Sequence, residues 1–151
     1  MEQVTKTTHK KEEKMIIIIR IEGMVKVKPK VAETLDRLKL RRKYSAVLVN
    51  SSNKGTMGML EKVKYAVSYG EINKETLVKL INERAHKINK KEFDSEKISE
   101  ELINGKDLDE LGFKGFFRLH PPRKGINSKL QYPKGVLGHN KKINELVERM
   151  L

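Results

Sequence analysis

An α+β fold, with helices packed on one face of a small sheet, is predicted by three observations. Short β-branched runs alternate with stretches whose apolar residues recur at helical spacing. Three such runs and two such stretches fit within residues 15–72, which is too little chain for a large parallel sheet. After Ile72 the pattern turns helical and then irregular, as an extension added to a core does.

Ile16 to Ile21, interrupted only by Arg20, reads as a strand buried on at least one face. Gly23 breaks it, Val25 and Val27 alternate with Lys26 and Lys28, and Pro29 suits the first turn of a helix. Over residues 30–41, Val31, Leu35 and Leu38 share one stripe, while Lys30, Glu33, Arg37 and Arg41 hold the other. Ser45 to Val49 is a second strand, followed by a turn from Asn50 to Gly55. Residues 56–67 form a second helix with Met59, Leu60, Val63, Ala66 and Val67 inward and Lys62 and Lys64 outward; Tyr65 suits either side. Val67 to Ile72 supplies a third strand, so helix end and strand start overlap. The order β-α-β-α-β in so short a chain is that of a ferredoxin-like two-layer sandwich.

Downstream, Leu77, Ile81, Ala85 and Ile88 fall at helical spacing, and Ser95 is placed to cap a short helix carrying Ile98 and Leu102 that stops near Gly105. A turn from Asp107 to Leu111 ends at Gly112. Residues 113–139 mix Gly and Pro with cations and aromatics and read as a long irregular basic loop. Asn140 is placed to cap a closing helix carrying Ile143, Leu146, Val147 and Met150. Three regions are expected: a disordered arm over 1–14, the ferredoxin-like core over 15–72, and a mainly helical extension over 73–151 that contains the basic loop.

Composition narrows the function. The chain has 151 residues, 37% of them hydrophobic and 35% charged, and its 33 Lys and Arg outweigh 20 Asp and Glu to give a net charge of +13. So large a surplus points to a polyanionic partner that neutralises it. Residues 1–14 carry +1, 15–72 carry +7, 73–112 carry −2 and 113–151 carry +7, which suggests two contact regions around an insert. With no Cys, the chain has no disulfide framework and no thiolate metal ligand or nucleophile, and it suits a reducing, cytoplasmic setting. Its longest apolar runs, Ile16 to Ile19 and Ala46 to Val49, are far short of the ~20 residues of a spanning helix, so a membrane partner is not expected.

Enzymatic chemistry finds little support. The histidines at 9, 86, 120 and 139 have no metal-ligating spacing. The stretches Gly55-Thr-Met-Gly58 and Gly112-Phe-Lys-Gly115 match neither a phosphate loop nor a dinucleotide fingerprint, and no GxSxG occurs. No catalytic residue, cofactor, metal or small-molecule substrate is expected.

The cations carry the functional signal. Lys26 and Lys28 leave one face of an extended segment while the valines turn inward. Arg41, Arg42 and Lys43 crowd the exit of the first helix; dipole compensation explains one or two cations there but not a third. Between Phe113 and Asn144 there is no acid, yet Arg118, His120, Arg123, Lys124, Lys129 and Lys134 all occur, a bias better explained by phosphate contact than by a solvated face. Tyr132, with little apolar company, is a candidate for base or sugar stacking. Lys114-Gly-Phe-Phe-Arg118 begins like an RNP1 strand, but the run passes into His120-Pro-Pro; Phe113, Phe116 and Phe117 read instead as anchors of the loop to the core.

These residues also resemble a known family. Ile16-Ile-Ile-Ile-Arg-Ile-Glu-Gly23, Arg37-Leu-Lys-Leu-Arg41, Gly58-Met-Leu-Glu-Lys-Val-Lys64 and Gly70-Glu-Ile72 resemble the large-subunit ribosomal protein family called L-thirty in bacteria and L-seven in eukaryotes. Phe117-Arg-Leu-His-Pro-Pro-Arg123 and Gly135-Val-Leu-Gly-His139 resemble its long archaeal and eukaryotic form, and the length suits an archaeal member. The resemblance implies a ferredoxin-like core, a place in the large ribosomal subunit near the 5S RNA region, binding to ribosomal RNA, protein neighbours in that subunit, and no catalysis. Motif position and charge together then assign Arg41, Arg42, Lys54, Lys62, Lys64, Arg118, His120, Arg123 and His139 to RNA contact. The alternative is a ferredoxin-like regulatory or protein-interaction module working through the acidic middle segment.

Overall fold

The computed structural model describes residues 15–23, 27–50, 54–84, 94–103, 110–123, 125, 132 and 134–151. The expected arm over 1–14, the alternation at Val25 and Lys26, and Ala85, Ile88 and the 107–109 turn lie outside these. The elements run β1 (Met15–Arg20), α1 (Pro29–Arg37), β2 (Ser45–Asn50), α2 (Lys54–Val63), β3 (Val67–Glu71), α3 (Lys74–Arg84), α4 (Ser95–Ile103), β4 (Phe117–Arg118), β5 (Gly138–His139) and α5 (Ile143–Met150). They build the expected α+β, ferredoxin-like fold around one five-stranded sheet ordered β4-β2-β1-β3-β5.

β1 is central because its sequence leaves it no polar face. It pairs antiparallel with β2, Ile18 opposite Val47, and with β3, Ile18 opposite Tyr69. Ile17, Ile18 and Ile19 are fully buried, each contributing roughly 2 kcal/mol of burial, and they point alternately into two separate cores. On one face Ile16, Ile18, Val47 and Val67 meet Leu35, Leu38, Leu60 and Val63 of the α1–α2 layer, which is the two-layer core unit. On the other, Ile17, Ile19 and Ala46 meet Leu77, Leu80, Leu102, Leu146 and Met150, so the extension supplies a third layer.

Several boundaries differ from expectation. α1 stops at Arg37 because Leu38 to Leu40 form a Schellman cap, with the Leu40 amide donating to the Leu35 carbonyl at 2.9 Å and the Lys39 amide to Asp36 at 3.0 Å. α2 ends at Val63, which leaves Ala66 buried in the turn and Val67 in the strand. α4 is capped by Asp94, whose Oδ1 accepts from the Glu96 amide at 3.0 Å, rather than by Ser95, the first helical residue. Asn140 also precedes its helix by too much to cap it. Its Oδ1 accepts from the Lys142 amide at 2.8 Å in a local turn, and its own amide donates to the Tyr69 carbonyl.

The loop over 113–139 is not wholly irregular, and this is the main correction. Each end enters the sheet: Phe117 pairs with Ala46 at one edge, and His139 pairs in parallel with Tyr69 at the other. Phe113 and Phe117 are buried in the core, as their anchoring role requires, and β4 ends at Arg118, after which the Leu119 amide donates to the Tyr44 carbonyl and the His120 amide turns to Met150.

Candidate nucleic-acid interface

The site begins with a buried cation. Arg20, at the end of β1, is 1% exposed and donates from Nε to the Glu22 carbonyl at 2.9 Å and from its terminal nitrogens to Leu40 at 2.7 Å and Gly23 at 3.3 Å. Its own carbonyl accepts from the Tyr44 amide at 2.7 Å. Desolvation lowers its pKa from the ordinary arginine value, and the charge of Asp36 opposes that shift. Arg20 thus fastens the segment linking α1 to β2 at both ends. Within that segment Lys39 (φ 64°) and Tyr44 (φ 65°) are left-handed, which folds residues 39–44 into a tight turn and leaves Arg41, Arg42 and Lys43 exposed.

β4 lies against this turn. Arg118 pairs with Ser45, and the Leu119 amide donates to the Tyr44 carbonyl at 3.0 Å. Strand alternation puts Phe116 and Arg118 on one face, where the Arg118 guanidinium lies 5.6 Å from the Phe116 ring centroid. The outcome is a cleft of about 480 Å³ lined by Lys39, Arg41, Arg42, Ser45, Lys114, Gly115, Phe116 and Arg118. Among the described residues, five cations and no carboxylate form this lining, and they come from both of the basic blocks in the sequence. So many cations on one described lining present a focused positive field that suits phosphate.

The other predicted site residues are distributed elsewhere. Lys43 sits beside the cleft, over the Tyr44 ring at 5.1 Å. Lys28 and Lys62 line a groove of about 970 Å³ between α1 and α2, where Arg37 is already paired with Glu33 at 2.7 Å. Lys54 is exposed at the start of α2. Lys64 pairs with Glu61 at 3.7 Å and covers the exposed Tyr65, while His139 lies against Tyr69 with ring centroids 5.6 Å apart. Burial, and after it the charge of Glu61, raises the Tyr69 pKa, and Lys64 opposes this. Arg118 and His139 occupy opposite edges, four strand spacings or roughly 19 Å apart, so the two ends of the basic loop lie on different surfaces.

The Arg118-to-Arg123 phrase bridges those surfaces. The His120 and Arg123 amides donate to the Met150 and Arg149 carbonyls at 2.9 and 3.0 Å, closing the end of α5. His120 is exposed, whereas Arg123, Tyr132 and Lys134 line a second cleft of about 740 Å³ with Lys142, Arg149, Glu145 and Glu148. Tyr132 is half-buried there, its amide donating to the Leu137 carbonyl. Lys26, Lys124 and Lys129 fall outside the described residues.

Sequence reasoning missed Lys39, Lys114 and Ser45 as cleft residues, gave Phe116 only an anchoring role, and did not foresee the burial of Arg20. Lys114 was legible, since it opens the basic aromatic phrase ending at Arg118. Lys39 was not, because its place depends on a helix ending four residues early.

Fold and site together define a small basic platform whose rigid sheet presents cations at its edges. A model of the family described as "Ribosomal protein L30p/L7e" matches residues 16–67. The large ribosomal subunit protein uL30 of Desulfurococcus amylolyticus is 41% identical, over 91% of this chain and 99% of that protein. That of Archaeoglobus fulgidus is 38% identical over 90% and 99%, and that of Methanococcus maripaludis strain C5 is 35% identical over 89% and 97%. The chain belongs to the ribosomal protein L30p/L7e family, in agreement with the resemblance and its archaeal form.

Proposed function

We propose that this chain is a structural, non-enzymatic constituent of the large ribosomal subunit and that it holds ribosomal RNA chiefly through the cleft between the 39–45 turn and β4. The observation that carries the assignment of the site is the convergence of two basic blocks, distant in sequence, on one lining with no carboxylate among the described residues. Arg41, Arg42 and Arg118, with Lys39 and Lys114, neutralise phosphates and release their counterions, while Arg20 holds the turn that presents them. Lys28, Lys54, Lys62, Lys64 and His139 form a weaker second contact along α2 and the β5 edge. The partners are ribosomal RNA, by family 23S RNA near the 5S region, and neighbouring proteins of the large subunit.

The test is co-sedimentation of the full chain with large subunits from an archaeal lysate. Retention on the subunit through a moderate-salt wash is the expected result, and complete recovery as free protein contradicts the assignment.

A further inference from the structure

The shape of the cleft is more specific than its charge. Duplex phosphates lie on a convex cylinder, so a double helix touches only the rim of a concavity. A space of about 480 Å³ lies toward the lower end of the ~300–1,000 Å³ range of pockets that enclose small molecules. Within it, the half-buried Phe116 and the Arg118 guanidinium above its ring form an aromatic and planar-cation ledge, and Gly115 keeps the neighbouring wall low. Ledges of this kind stack unpaired bases of any sequence.

Lys39 adds an independent observation. It occupies the left-handed position after α1, where glycine is the residue of lowest strain and a lysine costs roughly 1 kcal/mol. The cap needs only the backbone there. The residue at this position also lines the cleft.

We propose that the cleft receives one unpaired ribonucleotide, its base stacked on the Phe116–Arg118 ledge and its phosphate held among Lys39, Arg41 and Arg42. This rests on the RNA-binding reading above and narrows it from duplex or single strand to an extruded nucleotide.

The test uses the full chain with two probes of equal phosphate number, a short oligouridine strand and a short mixed-sequence RNA duplex. Phe116→Leu should weaken oligouridine binding about five- to a hundredfold, the range expected for loss of one stacked base, and leave duplex binding within about twofold. Arg118→Lys, on the exposed strand, should show the same selectivity with an unchanged salt slope, because charge is kept while the stacking plane is lost. Lys39→Gly should raise thermal stability while weakening oligouridine. Equal losses on both probes, or none, for Phe116→Leu and Arg118→Lys overturn the nucleotide site. In that case, sensitivity of both probes to Arg41→Ala with Arg42→Ala leaves the broader RNA reading standing, and insensitivity to that pair removes it as well.

Discussion

The clefts at the two outer edges of the sheet hold similar numbers of cations and differ in what stands among them. Among the described residues, the lining beside β4 carries five cations and no carboxylate; that beside β5 and α5 carries Arg123, Lys134, Lys142 and Arg149 together with Glu145 and Glu148. The formal charges are therefore +5 and +2. At the second edge the backbone is also busy, with His120 and Arg123 closing the end of α5 and Arg149 donating to the Gly125 carbonyl at 3.3 Å. On the reading proposed above, a lining without the opposite sign, more than the number of cations, is what suits the β4-side cleft to phosphate.

The largest expected effect tests that contrast directly. Arg41→Ala, Arg42→Ala and Arg118→Ala combined should weaken ribosomal RNA binding roughly two-thousandfold, from about 1.5 kcal/mol per charge-assisted contact. The slope of log K against log salt should fall by about two units. Removing as many charges from the other edge, with Lys134→Ala, Lys142→Ala and Arg149→Ala, should cost less than tenfold. Equal losses from the two triple variants in a salt titration would erase the distinction.

Next in size is a packing effect confined to the β5 side. A Cβ on Gly70 would stand 2.5 Å from the Asn140 carbonyl oxygen and 2.9 Å from the Ile143 side chain, so this glycine is what lets the start of α5 lie against β3. Gly70→Ala should destabilise the protein by about 3 kcal/mol, the upper part of the overpacking range, with the β4-side cleft retaining its RNA affinity in the surviving folded fraction. Chemical denaturation and binding at low temperature measure the two separately.

Arg20→Met sharpens the comparison from the other side. It orphans the buried Leu40 carbonyl, at a cost of about 1–3 kcal/mol, and releases the turn that carries Arg41 and Arg42. Stability and RNA affinity should fall together, unlike in Gly70→Ala. The smallest effect concerns Tyr69, whose raised pKa in the folded chain means that an unfolded tyrosine ionises first, near 10. Its contribution is intact below that value and is lost as pH rises through the folded pKa. Tyr69→Phe should therefore flatten the decline of stability above pH 10 in denaturant titrations.

Much of this was legible in local pattern. The Ile16 to Ile21 run, the Val31–Leu35–Leu38 stripe and the α5 stripe were read from periodicity, because burial on a defined face dictates it. Phe113 and Phe117 were read as anchors for the same reason. What escaped depends on contacts between distant residues. Nothing around Arg20 announces a carbonyl 20 residues away, and nothing in residues 113–139 announces that two dipeptides will complete opposite edges of a sheet already built. Arg41, Arg42 and Arg118 were each chosen by charge, but their meeting follows from the pairing of Ser45 with Arg118.

The central claim, that the two basic blocks meet in one RNA-holding cleft, is tested most directly by ultraviolet crosslinking of intact large subunits with peptides mapped by mass spectrometry. Crosslinks shared between peptides covering 39–45 and 114–118, to neighbouring nucleotides of one RNA segment, are the expected result. Crosslinks confined to the α5 and β5 side, with both of those peptides unmodified, would contradict it.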